Sequence, residues 1–325
     1  MRVALLLICL PALAAEPLPP LGAEKAATVS GVSSGAYMAV QFHVAHSATV
    51  TGAGAIAGGP YYCAQGSSWT AYFNCREPGI FAPLPSAAFL RAQTEALAKA
   101  GRIDDTANLA ASRAWLFTGT KDKTVAREVV EGLLGYYSAY KVNTLIVRDK
   151  PAGHAMVTEN AGNPDCGASA QPYMNDCDYD AAKQLLQHLL GDLAPAAAKE
   201  SGRLARFDQK PFGSRAISMH DEAYVYVPKA CASVRCRVHV AFHGCRQGIS
   251  FVGDKFAREA GYNRWADANR LIVLYPQAIA SYGWPYNPRG CWDWWGYTGA
   301  QYHTKEGVQI RAVKAMLDRL SAPRQ

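Results

Sequence analysis

No stretch of this 325-residue chain reaches the ~18 uninterrupted apolar residues that a membrane-spanning helix needs, so a spanning helix is excluded. Charge is sparse, at 18% of residues, and the excess of Lys and Arg (33 against 26 acidic residues) is scattered rather than gathered in runs. No nucleic-acid motif accompanies it, so the formal charge of +7 reads as a solvated face, and no nucleic-acid partner is expected. Zinc sites favour paired Cys-x2–4-Cys steps or Cys/His clusters. Only Cys231 and Cys236 come near such a pair, with no second pair to complete it. No metal and no cofactor is therefore expected.

The first residues have the pattern of a secretory signal. Arg2 supplies a positive end, Val3–Leu10 a short apolar run, and Ala12-Leu13-Ala14 a small-residue cleavage site. Residues 1–14 are read as the signal and 15–325 as one catalytic domain, secreted or periplasmic. Ile8, before Cys9, is too large for a lipoprotein box, so no lipid anchor is expected. The other eight cysteines would then meet an oxidising compartment, where four disulfides form readily. Eight cysteines allow 105 connectivities. Local spacing favours Cys63–Cys75, Cys166–Cys177 and Cys231–Cys236, which leaves Cys245–Cys291 as a long-range pair.

Half of the residues are hydrophobic (50%), enough for one large core. The pentapeptide Gly31-Val32-Ser33-Ser34-Gly35 has the Gly-x-Ser-x-Gly spacing of a nucleophile elbow, set between a short strand (27–30) and a helix (36–48) read as amphipathic. The first half continues as alternating strands and helices: a strand at 51–59, a loop bounded by Cys63 and Cys75, a helix at 87–100, a strand at 113–118, a helix at 124–140 and a buried strand at 142–147. Such alternation predicts an α/β fold. Residues 192–213 are rich in Ala, Lys, Pro and Gly and read as a linker. Beyond it, 223–228 and 237–242 suggest an antiparallel hairpin closed by Cys231 and Cys236, followed by a helix at 256–269, a strand at 271–275 and a helix at 305–320. An α/β-hydrolase builds an antiparallel pair and a strand ending in an oxyanion loop before its elbow strand. Here those parts follow the elbow. The expected architecture is a single-domain α/β-hydrolase fold, circularly permuted, with the join near 192–213.

A serine hydroxyl needs a base, an orienter for that base, and donors for the oxyanion. Ser33 is the candidate nucleophile. Asp122 and His154 lie in loops at the carboxyl ends of two strands, in the chain order Ser, acid, His. Asp149 is the rival acid; His43 and His46, on the elbow helix, read as packed or solvated. The oxyanion donors are assigned to the N–H groups of Ser34 and of Cys245, the latter in the loop His243-Gly244-Cys245. The aromatic segment Cys291-Trp292-Asp293-Trp294-Trp295-Gly296-Tyr297, with Trp284 and Tyr286 before it, reads as a binding wall, and Trp284, Tyr286, Trp292 and Trp294 are the candidate substrate contacts.

These residues resemble the catalytic domain of poly(3-hydroxybutyrate) depolymerases of the circularly permuted, denatured-polymer group. The shared stretches include Gly31-Val32-Ser33-Ser34-Gly35-Ala36-Tyr37-Met38, Gly119-Thr120-Lys121-Asp122, Gly153-His154, His239-Val240-Ala241-Phe242-His243-Gly244-Cys245, Leu274-Tyr275-Pro276-Gln277 and the run from Asn287 to Tyr297. The resemblance implies an esterase for short-chain hydroxyalkanoate polyesters or oligoesters, with Ser33, Asp122 and His154 as its triad; separately, a monomer is expected. The chain departs from the larger family members in having no Thr-rich or fibronectin-like linker and no separate substrate-binding domain, so efficient attack on crystalline polymer is not part of the expectation. Two other readings stay open at this point: an esterase for small or plant-wall acyl esters, and a non-enzymatic protein that binds surfaces through the aromatic loop.

Overall fold

Strand and helix boundaries follow from short apolar runs separated by glycine, proline and polar turns. The computed structural model describes residues 15–324; the signal at 1–14 lies outside the described residues. The strands are β1 (Glu16–Pro17), β2 (Ala27–Val32), β3 (Val50–Ile56), β4 (Arg113–Phe117), β5 (Asn143–Val147), β6 (Met156–Thr158), β7 (Met174–Asp176), β8 (Arg203–Asp208), β9 (Glu222–Val227), β10 (Arg237–Phe242) and β11 (Leu271–Tyr275). Between them run helices α1 (Ser34–Ala45), α2 (Ser68–Phe73), α3 (Ala87–Lys99), α4 (Arg127–Ala139), α5 (Ala181–Leu190), α6 (Ile249–Val252), α7 (Lys255–Glu259), α8 (Tyr262–Ala268) and α9 (Val308–Ser321).

Nine strands make one sheet in the order β1-β8-β9-β11-β10-β2-β3-β4-β5, and β6 pairs with β7 apart from it. Only β9 runs against its neighbours, antiparallel to both β8 and β11; the other pairings are parallel. β2 is central, with Val29 beside Val240 of β10 and Ala53 of β3. Every residue of β2 and β11 is buried. Burial on both faces explains why these strands read as continuous apolar runs rather than alternating ones.

Several expectations are corrected. The hairpin of 223–228 with 237–242 does not form: β11 lies between β9 and β10, pairing antiparallel with the first and parallel with the second. The antiparallel partner of β9 on its other side is β8, inside the segment read as a linker. Its sequence Arg-Leu-Ala-Arg-Phe-Asp buries only Phe207, as suits a strand near the rim, and its charge hid it. The elbow helix is not amphipathic: all of Ser34–Ala45 is buried. β5 is the sheet's last strand and half exposed, not buried. The helix at 256–269 breaks into α7 and α8 at Gly261, whose φ of +90° ends α7 as a left-handed cap. The Cys63–Cys75 loop contains the short helix α2.

Candidate active site

β2 ends at Val32 and α1 begins at Ser34, leaving Ser33 alone at the turn with φ 56° and ψ −120°. A non-glycine residue in such a conformation costs of order 1–3 kcal/mol and persists only where its surroundings enforce it. They do. The Ser33 N–H donates to the Ile56 carbonyl at 2.8 Å, and the Ser33 carbonyl accepts from the N–H groups of Ala36 (2.9 Å) and Tyr37 (3.1 Å). The flanking glycines are required by space. A Cβ at Gly31 would lie 2.3 Å from the Gly35 carbonyl, and one at Gly35 would lie 2.4 Å from the carbonyl oxygen of Phe242 and 2.5 Å from that of His243. Gly35 thus lets the end of β10 close against the elbow.

Asp122 lies in the loop after β4 and His154 in the loop after β5. The Asp122 Oδ2 accepts from His154 Nδ1 at 2.8 Å, and its Oδ1 accepts from the N–H groups of Thr124 (2.7 Å) and Val125 (3.0 Å). A carboxylate can only accept, so Nδ1 carries the proton and Nε2 is left with a free lone pair. The His154 N–H donates to Ser169 Oγ at 2.9 Å, which fixes the backbone carrying the ring. Asp149, the rival acid, is exposed beside Lys150. Ser33 and His154 line the same cleft, with no hydrogen bond between their side chains among the described residues. Such bonds often tighten only with substrate present.

The loop after β10 faces the elbow. Gly244 N–H donates to Gln247 Oε1 at 2.8 Å, and Gln247 Nε2 donates to the Tyr173 carbonyl at 2.7 Å. His243 is buried beneath. Its Nδ1–H donates to the Gly244 carbonyl at 2.7 Å, and its Nε2 accepts from the Ala278 N–H at 3.1 Å. Burial pushes this imidazole down to about 4, so it stays neutral and pinned. Cys245 is bonded to Cys291, and its N–H has no acceptor among the described residues. The other three cysteine pairs are Cys63–Cys75, Cys166–Cys177 and Cys231–Cys236.

The cleft has a volume of about 570 Å³, within the usual range for a ligand site. Of the four aromatic residues expected to contact substrate, Tyr286 and Trp294 line it. Trp294 stacks on Tyr37 with ring centroids 4.1 Å apart. Trp292 does not line it. This residue is fully buried against Phe242 and His243, and its backbone N–H donates to Ser34 Oγ at 3.3 Å. It belongs to the core because the Cys245–Cys291 bond draws it under the elbow. Trp284 also lies outside the lining, with its side chain 90% exposed. Trp295, part of the aromatic segment read as a binding wall, is also in the lining, and residues not singled out from the sequence include Tyr72 of α2, Ser169 and Gln247. Their signals are single polar or aromatic residues in loops and one short helix, which no spacing distinguishes. Asp293, also unanticipated, is a buried brace: its carboxylate accepts from the N–H groups of residues 295–298 and from Thr298 Oγ1. Burial nonetheless holds its carboxyl above the usual range.

A serine in a strained strand-to-helix turn, with a carboxylate-paired histidine in the same cleft of a mainly parallel sheet, defines the class of α/β serine hydrolases. Comparison with known proteins narrows this. No protein-family model matches the chain. It is 42% identical over 321 residues to a poly(3-hydroxybutyrate) depolymerase of Delftia acidovorans, covering 95% of this chain and 62% of that one. To a polyhydroxybutyrate depolymerase of Talaromyces funiculosus it is 36% identical over 318 residues, 92% of this chain and 91% of the other. Two solved structures superpose with a TM-score of 0.86 at 32% identity, covering 95% of this chain and 100% of theirs. One is the PHB depolymerase from Penicillium funiculosum; the other is a serine-to-alanine PHB depolymerase complexed with an R3HB trimer. The chain belongs to the polyhydroxybutyrate depolymerase family. It spans 62% of the length of its Delftia relative.

Proposed function

We propose that this protein is a secreted serine esterase that hydrolyses the ester bonds of poly(3-hydroxybutyrate) or a related short-chain polyester through an acyl-enzyme on Ser33. The observation that carries the reading is the Asp122–His154 pair facing the cleft that the Ser33 elbow also enters. In this mechanism His154 Nε2 takes the Ser33 hydroxyl proton as Oγ attacks the ester carbonyl. The resulting oxyanion accepts from the N–H groups of Ser34 and Cys245. His154 then returns the proton to the leaving alcohol, and water repeats the sequence to release the acid. Asp122 keeps the imidazole oriented and balances its transient charge.

Tyr37, Tyr72, Tyr286, Trp294 and Trp295 give the cleft apolar faces suited to the methyl and methylene groups of a polyester. Export is supported by the four disulfides, which belong to oxidising compartments. No helix among the described residues is long and apolar enough to cross a membrane. The permuted reading is supported by sheet order: β8, β9, β10 and β11 stand on one side of the elbow strand although they follow it in sequence. With β8 in the sheet, the join narrows to the segment between α5 and β8.

The test is clearing of an amorphous polyhydroxybutyrate film set against hydrolysis of feruloyl and acetyl esters. Film clearing by the wild type and none by Ser33→Ala is expected. Rapid turnover of the small esters with an untouched film would replace this reading with that of a small-ester esterase.

A further inference from the structure

The cleft lining contains three arginines, Arg76, Arg246 and Arg289, and no aspartate or glutamate among its described residues. Arg76 is partly neutralised: its Nη2 pairs with Glu77 at 2.8 Å and its guanidinium stacks over the Tyr72 ring at 3.7 Å, while its buried Nε has no hydrogen-bond partner among the described residues. Arg246 and Arg289 have no ion-pair partner among the described residues. They arise from one stapled point. The Arg246 N–H donates to the Arg289 carbonyl at 2.7 Å, Arg246 follows Cys245 directly, and Arg289 stands two residues before Cys291, its bonded partner. Arg246 holds a left-handed backbone, with φ 58°. That conformation suits Gly or Asn better than Arg.

Both residues are exposed, and two arginines without an ion-pair partner at the wall of one cleft raise its local affinity for an anion. The interior of a polyester offers them only neutral carbonyls. A short hydroxyalkanoate oligomer offers one more group, the free carboxylate at its acid end, which matches a guanidinium in charge and in planar geometry. In a hydroxy-acid chain that end lies on the leaving-alcohol side of any ester still to be cut. Resting on the esterase reading above, we infer that Arg246 and Arg289 form a subsite for the terminal carboxylate of short oligomers. The enzyme thereby prefers free-acid oligomers to end-capped ones and works from their acid ends.

The test compares cleavage of the 3-hydroxybutyrate trimer as free acid and as methyl ester, followed by chromatography of the products. The readout is the ratio of kcat/KM between the two. For wild type the ratio is expected to favour the acid by about tenfold at low salt and to shrink in 0.5 M NaCl, as charge-assisted recognition at a solvated site requires. In Arg246→Gln/Arg289→Gln the ratio should fall to about one, through KM rather than kcat. Arg289→Lys, which keeps the charge, should retain part of the preference; a ratio is insensitive to any fraction of misfolded enzyme. Equal rates on both trimers by the wild type would overturn the subsite alone. A wild type that cleaves neither trimer would overturn the polyester reading and the subsite with it.

Discussion

Replacing Ser33 by glycine and by alanine should separate catalysis from strain. Ser33 holds φ 56° and ψ −120°, which a side-chain-bearing residue adopts at a cost of order 1–3 kcal/mol and glycine adopts without it. Alanine retains the Cβ and therefore the strain. The Ser33 hydroxyl makes no hydrogen bond among the described residues, so Ser33→Ala should melt within about 1 °C of wild type. Glycine relieves the strain but gives the unfolded chain more freedom, an opposing effect of about 0.5–1 kcal/mol. The net gain is about 1 kcal/mol, or roughly 1.5 °C in Tm for a domain of this size. Both variants should lose activity by at least ~10⁴-fold. Scanning calorimetry at pH 7.5 with disulfides intact, paired with p-nitrophenyl butyrate hydrolysis, reads both quantities. A Ser33→Gly protein that melts at or below Ser33→Ala would refute the claim that the elbow stores strain.

Gln247→Ala leaves the Gly244 N–H and the Tyr173 carbonyl without their bonds and frees the loop that carries the Cys245 N–H. Its kcat should fall by about 10–100-fold with KM nearly unchanged, and steady-state kinetics showing a KM change alone would count against it. Trp292→Ala should destabilise by about 3–5 kcal/mol, seen as a lowered denaturation midpoint. Trp294→Ala, at the cleft wall, should weaken polyester film clearing more than it weakens p-nitrophenyl butyrate hydrolysis. Burial pushes His43 and His239 down to about 3 and His243 to about 4, so all three are neutral in the fold. The unfolded chain takes up their protons below about pH 6.5, so their contribution is intact above that pH and is lost as pH falls. Calorimetry at pH 7.5 and 5.0 should show a lower Tm at 5.0, and a smaller drop for His239→Gln.

The sequence exposed those parts of the molecule whose chemistry is local. The Gly-x-Ser-x-Gly spacing marks a turn that few residue types can make, and Asp122 and His154 follow apolar runs whose strand character is plain. The disulfide pairs followed from separation along the chain. What stayed hidden depends on sheet order. β11 inserts between β9 and β10 because a parallel crossover returns it there, and nothing in the hairpin-like sequence of 223–242 shows this. β8 is masked by its arginines, since a strand near a rim solvates its charged side chains. Trp292 and Trp294 are two residues apart in one aromatic run, yet one is core and the other lines the cleft. Which is which is decided by the Cys245–Cys291 link and the Trp294–Tyr37 stack, both long-range.

The position of β2 bears on how the chain is made. This central strand is synthesised well before its neighbour β10, which follows about 200 residues later: Val29 pairs with Val240. Until then one flank of β2 has no partner, and α1 lacks part of its cover. Contacts so distant in sequence slow folding, because a long loop must close before they form. A chain halted between His154 and Cys245 also lacks the second oxyanion donor proposed above, even though Ser33, Asp122 and His154 have all been made. Competence would then arrive late and abruptly along the chain, and fragments ending short of β10 should present an open strand edge to chaperones and to one another.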